Sequence, residues 1–402
     1  MDDAVLAKTK PDAAALVARA RALVPTLRAR AAQAERERLV PRESVADMQA
    51  AGLFRVLQPK RWGGYELGVQ VANEIQMTLA EGCMSTAWIY AVLSVEPFLL
   101  ALYDDRAAQD VWAKDDSKLI CGTSGAGPGC TAVPVDGGFK LNGRWRFASG
   151  CDHSDWTFLG AAATDAQGQR VEWRFLLPKS DYTIIDTWFV SGLKATGSRD
   201  IVVEDKFIPA HRAFKQIDLF YCKGPGQTVN TAPLYRIPFG QIFALSVSTL
   251  MIGGLQGMLD TFLAYAKGRV ARGIGPTTLD PSAQLTVAEA QATIDECEAI
   301  FAVNIAKITA DAERGVTASI QERMKYKFHM SYAVERASLL AHRIFKAAGA
   351  TGVYVENSPL SRYFNDINAG RQHVNNLYEA IGRGLGYLML GGDEKENRDR
   401  YL

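Results

Sequence analysis

Hydrophobic and polar positions in the first quarter of the chain alternate at helical spacing. The apolar positions that repeat at steps of three and four are Leu16, Ala20, Leu23, Leu27 and Ala31. Long apolar stretches continue over residues 68–103. The pattern predicts an N-terminal helical domain.

The pattern changes near residue 117, where short runs rich in β-branched and aromatic residues begin. KLICGTSG, VEWRFLLPK and YTIIDTWFV are examples, and Gly, Pro, Asp and Asn separate these runs. No helical segment intervenes, which favours an antiparallel barrel or sandwich over βαβ units.

Helical periodicity returns from Tyr235 onward. Four long segments carry it, at about 236–271, 283–313, 318–349 and 359–391. Long helices joined by short links predict a four-helix bundle.

Composition narrows the possible partners. The chain has 402 residues, of which 45 are Lys or Arg and 44 are Asp or Glu, so no net basic field is present to bind nucleic acid. The N-terminus lacks a signal-peptide pattern, and the apolar runs are expected to be shorter than the roughly 20 residues of a membrane span. We therefore expect a cytoplasmic protein that binds neither nucleic acid nor membrane.

The six cysteines are scattered and form no C-x-x-C pair. Convergence of Cys121, Cys130, Cys151 and His153 on zinc stays open, but without paired ligand spacing buried free thiols are the simpler interpretation. We predict no metal site.

Familiar nucleotide and hydrolase motifs are missing from the sequence. The run GTSGAGPG (122–129) follows an apolar strand, but strand and turn residues come next where a dinucleotide fingerprint requires a helix. No P-loop, G-x-S-x-G or H-E-x-x-H pattern occurs.

One of the five histidines stands apart. His329 and His342 lie in strongly helical stretches, where histidine is usually structural, and His211 ends a loop. His373 lies near the end of a helical run, close to Asp366 and followed by asparagines. It is the best candidate for a functional histidine.

Three segments resemble landmarks of the acyl-CoA dehydrogenase superfamily, in the right order along nearly the whole chain. They are MQAAGLFRVLQPKRWGGYELG (48–68), LNGRWRFASG (141–150) and GLKATGSRDIVVEDKFIPAHR (192–212). The resemblance implies a helical domain (1–115), a central antiparallel β-barrel (116–225) and a C-terminal four-helix bundle (226–402), usually assembled as a homotetramer.

The resemblance also implies where a flavin binds. Phe147 and Ser149 occupy the positions that line the isoalloxazine. The diphosphate segment keeps Arg269 but lacks the family's phenylalanine, so flavin binding is expected to be weaker or exchangeable. The implied cofactor-binding residues are Cys121, Thr123, Phe147, Ser149, Arg269, Arg272, Gly349 and Gly352.

The catalytic base departs from the dehydrogenase pattern. Those enzymes use a glutamate about eight residues after an Arg-Asp pair. Here Asn365-Asp366 replaces the pair, and His373 follows seven residues after Asp366. With Ser149 and the sequence STAW (85–88), this histidine resembles the two-component flavin monooxygenases of the fold, similar to p-hydroxyphenylacetate 3-hydroxylase, steroid-phenol hydroxylase and indole monooxygenase.

That second resemblance implies a reaction. Reduced FAD or FMN, with FAD favoured, comes from a separate NAD(P)H:flavin reductase and reacts with O₂ to a C4a-hydroperoxyflavin that hydroxylates a small phenol or indole. Ser149 is expected to hydrogen-bond near N5, and His373, with a pKa near neutrality, to act as the base. The implied substrate pocket residues are Trp88, Trp145 and Asn376.

Other functions stay open on sequence grounds. An acyl-CoA dehydrogenase would use Glu379 of the Tyr378-Glu379-Ala380 run as its base. A member that oxidises an amino sugar or a heteroatom, and a non-catalytic assembly subunit, are further alternatives.

Overall fold

The computed structural model describes residues 11–123, 127–164, 168–271, 275–354 and 358–394. Three regions follow each other along the chain, in the predicted order of helices, strands and helices.

The N-terminal region is helical except for one connecting segment. Its helices are α1 (Ala13–Glu37), α2 (Arg42–Ala50), α3 (Val69–Ala80), α4 (Met84–Leu100) and α5 (Asp105–Trp112). Every residue of α4 is buried, as its uninterrupted apolar sequence predicts. The segment between α2 and α3 contains only two short 3₁₀ turns, because Gly52 and Gly63 adopt positive φ angles of 78° and 77° that end each helical run.

The strands of the central region form two four-stranded sheets. They are β1 (Ile120–Thr123), β2 (Thr131–Val135), β3 (Gly138–Ala148), β4 (Trp156–Thr164), β5 (Arg170–Pro178), β6 (Thr183–Ile185), β7 (Arg199–Pro209) and β8 (Ala213–Lys215). The strand orders are β1-β4-β5-β8 and β2-β3-β7-β6.

Two expectations for this region need correction. The sheets do not close into a barrel among the described residues, and β1 pairs with β4 in parallel while the other pairs of the two sheets are antiparallel. The parallel pair arises because β2 and β3, which lie between them in the chain, belong to the other sheet. Such a crossover brings β4 beside β1 in the same direction.

The C-terminal region contains the predicted helices, two of them interrupted. Its helices are α6 (Gln216–Phe220), α7 (Phe239–Ser248), α8 (Leu250–Ala266), α9 (Pro281–Glu313), α10 (Ile320–Ala348), α11 (Pro359–Gly370) and α12 (Tyr378–Met389); a short hairpin of β9 (Val270–Ala271) and β10 (Gly275–Pro276) follows α8. The segment predicted at 359–391 is two helices, because a 3₁₀ turn at Val374–Asn376 with His373 as its N-cap separates α11 from α12.

Helices α7 and α8 together form an apolar stretch that is longer than the expected limit of about 20 residues. Phe239–Ala266 spans 28 residues, and 89% of its most apolar window is buried inside the protein. Burial at this level is typical of a core helix, and the stretch supplies one wall of the site described below.

Candidate active site

A chain of hydroxyl groups joins the first helical region to the sheets. Trp88 Nε1 in α4 donates to Ser149 Oγ at 3.1 Å, Ser149 Oγ lies 2.6 Å from Ser198 Oγ, and Ser198 Oγ lies 2.7 Å from Thr196 Oγ1. Thr196 donates its proton to the carbonyl of Leu193 at 2.9 Å. It follows that Ser198 donates to Thr196 and Ser149 donates to Ser198, which leaves Ser149 an acceptor.

His373 packs against the same indole. Its ring centroid is 5.6 Å from that of Trp88, edge to face at 67°, and 5.9 Å from that of Phe243 in α7. Trp88 and Ser149 are only 6% and 8% exposed, whereas His373 is half-buried. The two residues predicted to be catalytic therefore share one neighbour.

The backbone fixes the protonation of His373. Its Nδ1 accepts a hydrogen bond from the N–H of Asn375 at 3.2 Å, so Nδ1 carries no proton. Burial, with a smaller contribution from the positive charge of Lys327, lowers the pKa of His373 to about 4. With this pKa the imidazole is neutral near pH 7 and its proton is on Nε2, whereas the sequence resemblance implied a pKa near neutrality.

Asn376 holds the turn that carries His373. Its amide donates to the carbonyls of Gly370 at 2.8 Å and Val247 at 3.2 Å, and its oxygen accepts from Ser248 Oγ at 2.6 Å. Both donors are used and the residue is 1% exposed. Its position makes it a support for His373 rather than a polar group open to a ligand.

Trp145 lies away from this cluster. Its side chain is fully buried in the sheets, where Nε1 donates to the carbonyl of Gly160 at 2.6 Å. The structure does not bring it beside Trp88 or His373, because position 145 points to the interior of the β-region from the middle of β3.

The residues expected around the isoalloxazine occupy one edge of the sheets. Phe147 has a positive φ of 64° and a ring that is 64% exposed, in edge contact with Trp188 at 6.1 Å. Holding a bulky residue in this conformation costs free energy, and it presents an apolar face outward. An exposed aromatic face two residues before Ser149, whose oxygen can accept a hydrogen bond, fits a flat ring that carries an N–H.

Cys121 and Thr123 are on the neighbouring strand β1. The thiol of Cys121 is fully buried, which raises its pKa to about 11, and the hydroxyl of Thr123 donates to the carbonyl of Arg146 at 2.9 Å. The thiol of Cys121 is closed off by burial, and the proton of the half-buried Thr123 hydroxyl is already donated to a backbone carbonyl.

The residues expected to hold the diphosphate lie on two segments. Arg269 donates to the carbonyl of Ala347 at 2.6 Å. Gly349 has φ of 65°, and a Cβ there would lie 2.5 Å from Nη2 of Arg269, so glycine lets the guanidinium approach the turn that also contains the buried Gly352. Arg272 lies outside the described residues.

Sequence reasoning missed three members of the cluster. Thr196 and Ser198 belong to the quoted GLKATGS motif, so the signal was present although no role was assigned to them. Phe243 lies in an apolar helix whose sequence gives no sign of a site. By contrast, Glu379 is exposed in the first turn of α12, a poor position for a buried base. No group of three or more His, Cys, Asp and Glu in the described ranges is arranged to hold a metal ion.

Comparison with known proteins identifies the family. Residues 10–102 match the acyl-CoA dehydrogenase N-terminal domain and residues 245–377 its C-terminal domain. The chain is 34% identical to the flavin-dependent monooxygenase oxygenase subunit HsaA of Rhodococcus jostii, over 93% of this chain and 96% of that protein. It is 31% identical to the FADH₂-dependent resorcinol hydroxylase oxygenase component of a Rhizobium species, over 97% of each chain.

Solved structures agree with this. The 3-HSA hydroxylase of Rhodococcus sp. RHA1 superposes with a TM-score of 0.89 at 33% identity, covering 94% of this chain and 97% of the other. XiaF from Streptomyces in complex with FADH₂ superposes with a TM-score of 0.86 at 25% identity, covering 95% and 96%. The chain belongs to the flavin-dependent monooxygenases of the acyl-CoA dehydrogenase fold, as an oxygenase subunit.

Proposed function

We propose that this oxygenase subunit hydroxylates a small phenol, with reduced flavin and O₂ as co-substrates. The observation that carries the proposal is the position of Trp88, which donates to Ser149 and packs edge to face against His373. A substrate held at His373 is then next to the place where a flavin ring would rest on Phe147.

The flavin, when bound, supplies the activation of O₂. Ser149 suits the reduced form in particular. Ser149 donates its own proton to Ser198 and accepts a hydrogen bond from Trp88, so its remaining lone pair would be available to accept a hydrogen bond from the N5–H that only reduced flavin carries. Arg269 and the Gly349–Val353 turn would hold the phosphate end.

His373 acts on the substrate oxygen through Nε2. Removal of a phenol proton by Nε2 would require a proton-free Nε2, whereas the bond from Asn375 keeps Nδ1 proton-free. We therefore assign His373 as a hydrogen-bond donor to substrate bound as the phenolate, which is the more nucleophilic form of the ring and has lost its proton to solvent before binding. A donor at this position favours phenols over indoles, because an indole N–H needs an acceptor.

The supply of cofactor follows the family. Relatives named as oxygenase subunits or components imply a separate reductase that delivers reduced flavin, and we favour FAD because the resorcinol hydroxylase is FADH₂-dependent and XiaF was solved with FADH₂. We also infer a cytoplasmic homotetramer. Exposed apolar residues on α9 and α10, among them Leu285, Val303 and Leu339, support assembly through these helices.

Single-turnover hydroxylation tests the proposal. Anaerobically reduced FAD is mixed with the protein, O₂ and a panel of phenols and indoles, and hydroxylated product and hydrogen peroxide are both quantified. We expect product from phenols. His373→Ala should still consume O₂ but release most of it as hydrogen peroxide, lowering product at least about tenfold.

A matched control separates this effect from general damage. His342→Ala removes an exposed histidine of α10 and should leave product yield unchanged. Equal product from wild type and His373→Ala would remove the role assigned to His373. Bleaching of bound oxidised flavin by an acyl-CoA, without O₂ uptake, would favour the dehydrogenase function instead.

A further inference from the structure

The loop before strand β7 is held on helix α11 by two contacts. The carboxyl of Asp366 in α11 accepts a hydrogen bond from the N–H of Leu193 at 2.5 Å. At the preceding residue, Gly192, a Cβ would lie 2.0 Å from the carbonyl oxygen of Asn365, so the two backbones touch. Helix α11 ends three residues before His373. The helix that leads to His373 therefore also supports this loop.

Leu193 has an unusual backbone conformation. Its φ of 51° and ψ of 35° lie in the left-handed region, which is unfavourable for residues other than glycine. The hydrogen bond from the Leu193 N–H to Asp366 is made in this conformation and offsets part of its cost. Asp366 therefore helps to fix the direction in which the Leu193 carbonyl points.

The carbonyl oxygen of Leu193 is the last acceptor of the hydroxyl chain. It accepts from Thr196 Oγ1 at 2.9 Å, and the indole Nε1 of Trp188 donates to the same oxygen at 3.0 Å. Because the first bond uses the proton of Thr196, Ser198 donates to Thr196 and Ser149 donates to Ser198. One carbonyl oxygen thus sets the direction of the whole chain.

The direction of the chain decides which redox form of flavin Ser149 suits. As an acceptor with a free lone pair, Ser149 matches the N5–H of reduced flavin, whereas a donor would match the bare N5 of oxidised flavin. If the Leu193 carbonyl turned away, Thr196 would donate to Ser198 and Ser198 to Ser149. The proton of Ser149 would then be free for N5, and the match to reduced flavin would be lost.

We propose that Asp366 is a positioning residue for the flavin: by holding Leu193 it fixes the direction of the hydroxyl chain, and with it the preference of Ser149 for reduced flavin. The carboxyl is 2% exposed and acts through Leu193, Thr196 and Ser198 rather than by contact with the cofactor. The inference rests on the part of the proposed function in which Ser149 accepts from N5–H.

Flavin binding in the absence of O₂ tests the proposal without turnover. Dissociation constants for oxidised FAD and for dithionite-reduced FAD are measured by anaerobic ultrafiltration, and the readout is the oxidised value divided by the reduced value. We expect Asp366→Leu, which has nearly the same shape but no acceptor, to lower this ratio about 5- to 10-fold. Asp366→Asn keeps an oxygen for Leu193 and should stay within about twofold of wild type.

Further variants show whether the effect passes through the chain. Thr196→Val interrupts the chain without altering α11 and should lower the ratio as Asp366→Leu does, so it decides the question if Asp366→Leu does not fold. In a Ser149→Ala background, Asp366→Leu should change the ratio by less than about twofold, because the acceptor is already gone. Glu35→Gln changes a buried carboxylate that pairs with Lys194 of the same loop; it is the matched control and should leave the ratio unchanged.

Four results would overturn the assignment. A wild-type ratio near one would remove the preference itself. Equal weakening of both flavin forms by Asp366→Leu would mean that the carboxyl supports only the fold. A loss of the same size in the Ser149→Ala background would mean that Asp366 acts by another route, and an unchanged ratio in Thr196→Val would mean that the chain has no fixed direction. Failure to hydroxylate any phenol, with the ratios as expected, would count against the proposed function alone.

Discussion

The indole N–H of Trp88 reaches the hydroxyl of Ser149 across the boundary between helix α4 and the end of strand β3. This bond connects two regions that are 61 residues apart in sequence. Ser149 donates its own hydroxyl hydrogen bond to Ser198 and therefore acts as the acceptor toward Trp88.

A double-mutant cycle measures that bond. Ser149→Ala leaves the buried Trp88 N–H without its acceptor and should destabilise the protein by about 1–3 kcal/mol, whereas Ser149→Ala in a Trp88→Phe background should cost less. Urea unfolding of the four proteins gives the coupling energy, which we expect at about 0.5–1.5 kcal/mol. A coupling of zero would mean that the hydrogen bond contributes nothing to the folded state.

The sequence predicted the outline of the fold because its signals are local. Helical spacing located α1 and the helices of the bundle, and the loss of that spacing located the strands. Ser149 and His373 were also found, because each lies in a motif whose order along the chain is characteristic of the family.

Features that depend on contacts between distant segments were not predicted. The break between α11 and α12 depends on Asn376, whose bonds to Val247 and Ser248 span more than 100 residues. The proton-free Nδ1 of His373 depends on the same turn. The burial of Trp145 in the core of the sheets could not be predicted either, because it lies only two residues from the exposed Phe147 in sequence.

The contact between Gly192 of the β-region and the backbone of helix α11 should not tolerate a larger side chain. A Cβ at Gly192 would lie 2.0 Å from the carbonyl oxygen of Asn365, a backbone atom that cannot turn aside. We expect Gly192→Ala to lower the free energy of unfolding by about 1–3 kcal/mol.

Gly268→Ala is the control for Gly192→Ala, since a Cβ at Gly268 meets no atom within 4 Å. Its effect on urea unfolding should stay within about 0.5 kcal/mol. Similar stability of the two variants would show that the Gly192 contact relaxes without cost.

Asp366 should make the protein less stable as pH rises. Its carboxyl is 2% exposed and accepts from the N–H of Leu193, and burial raises its pKa to about 7. The unfolded carboxyl has a pKa of about 3.9, so the folded state binds more protons between these values and stability is lost as pH rises from about 4 through 7.

Asp366→Asn removes that dependence while keeping an oxygen for Leu193. Relative to wild type, the variant should gain on the order of 2–4 kcal/mol between pH 5 and pH 8 in urea unfolding. Asp136→Asn changes an exposed carboxyl and should gain nothing over the same range. Parallel pH profiles of wild type and Asp366→Asn would show that Asp366 is ionised in the folded protein at pH 5.

His373 should produce the opposite pH dependence. Its folded pKa of about 4 lies below the unfolded value of about 6.5, so the unfolded state binds more protons in this range and stability falls as pH drops from about 6.5 to 4. His373→Asn removes the titrating group while its side-chain oxygen still caps the Asn375 N–H. The difference in unfolding free energy between wild type and the variant should therefore shift by roughly 2–3 kcal/mol between pH 7 and pH 4.5, in the direction that favours the variant in acid.

His153 and His329, whose pKa values burial also lowers, contribute to both proteins and cancel in this difference. A difference that stays constant with pH would mean that His373 is as easily protonated in the folded as in the unfolded chain, and the neutral donor assigned to it would then be untenable in acid.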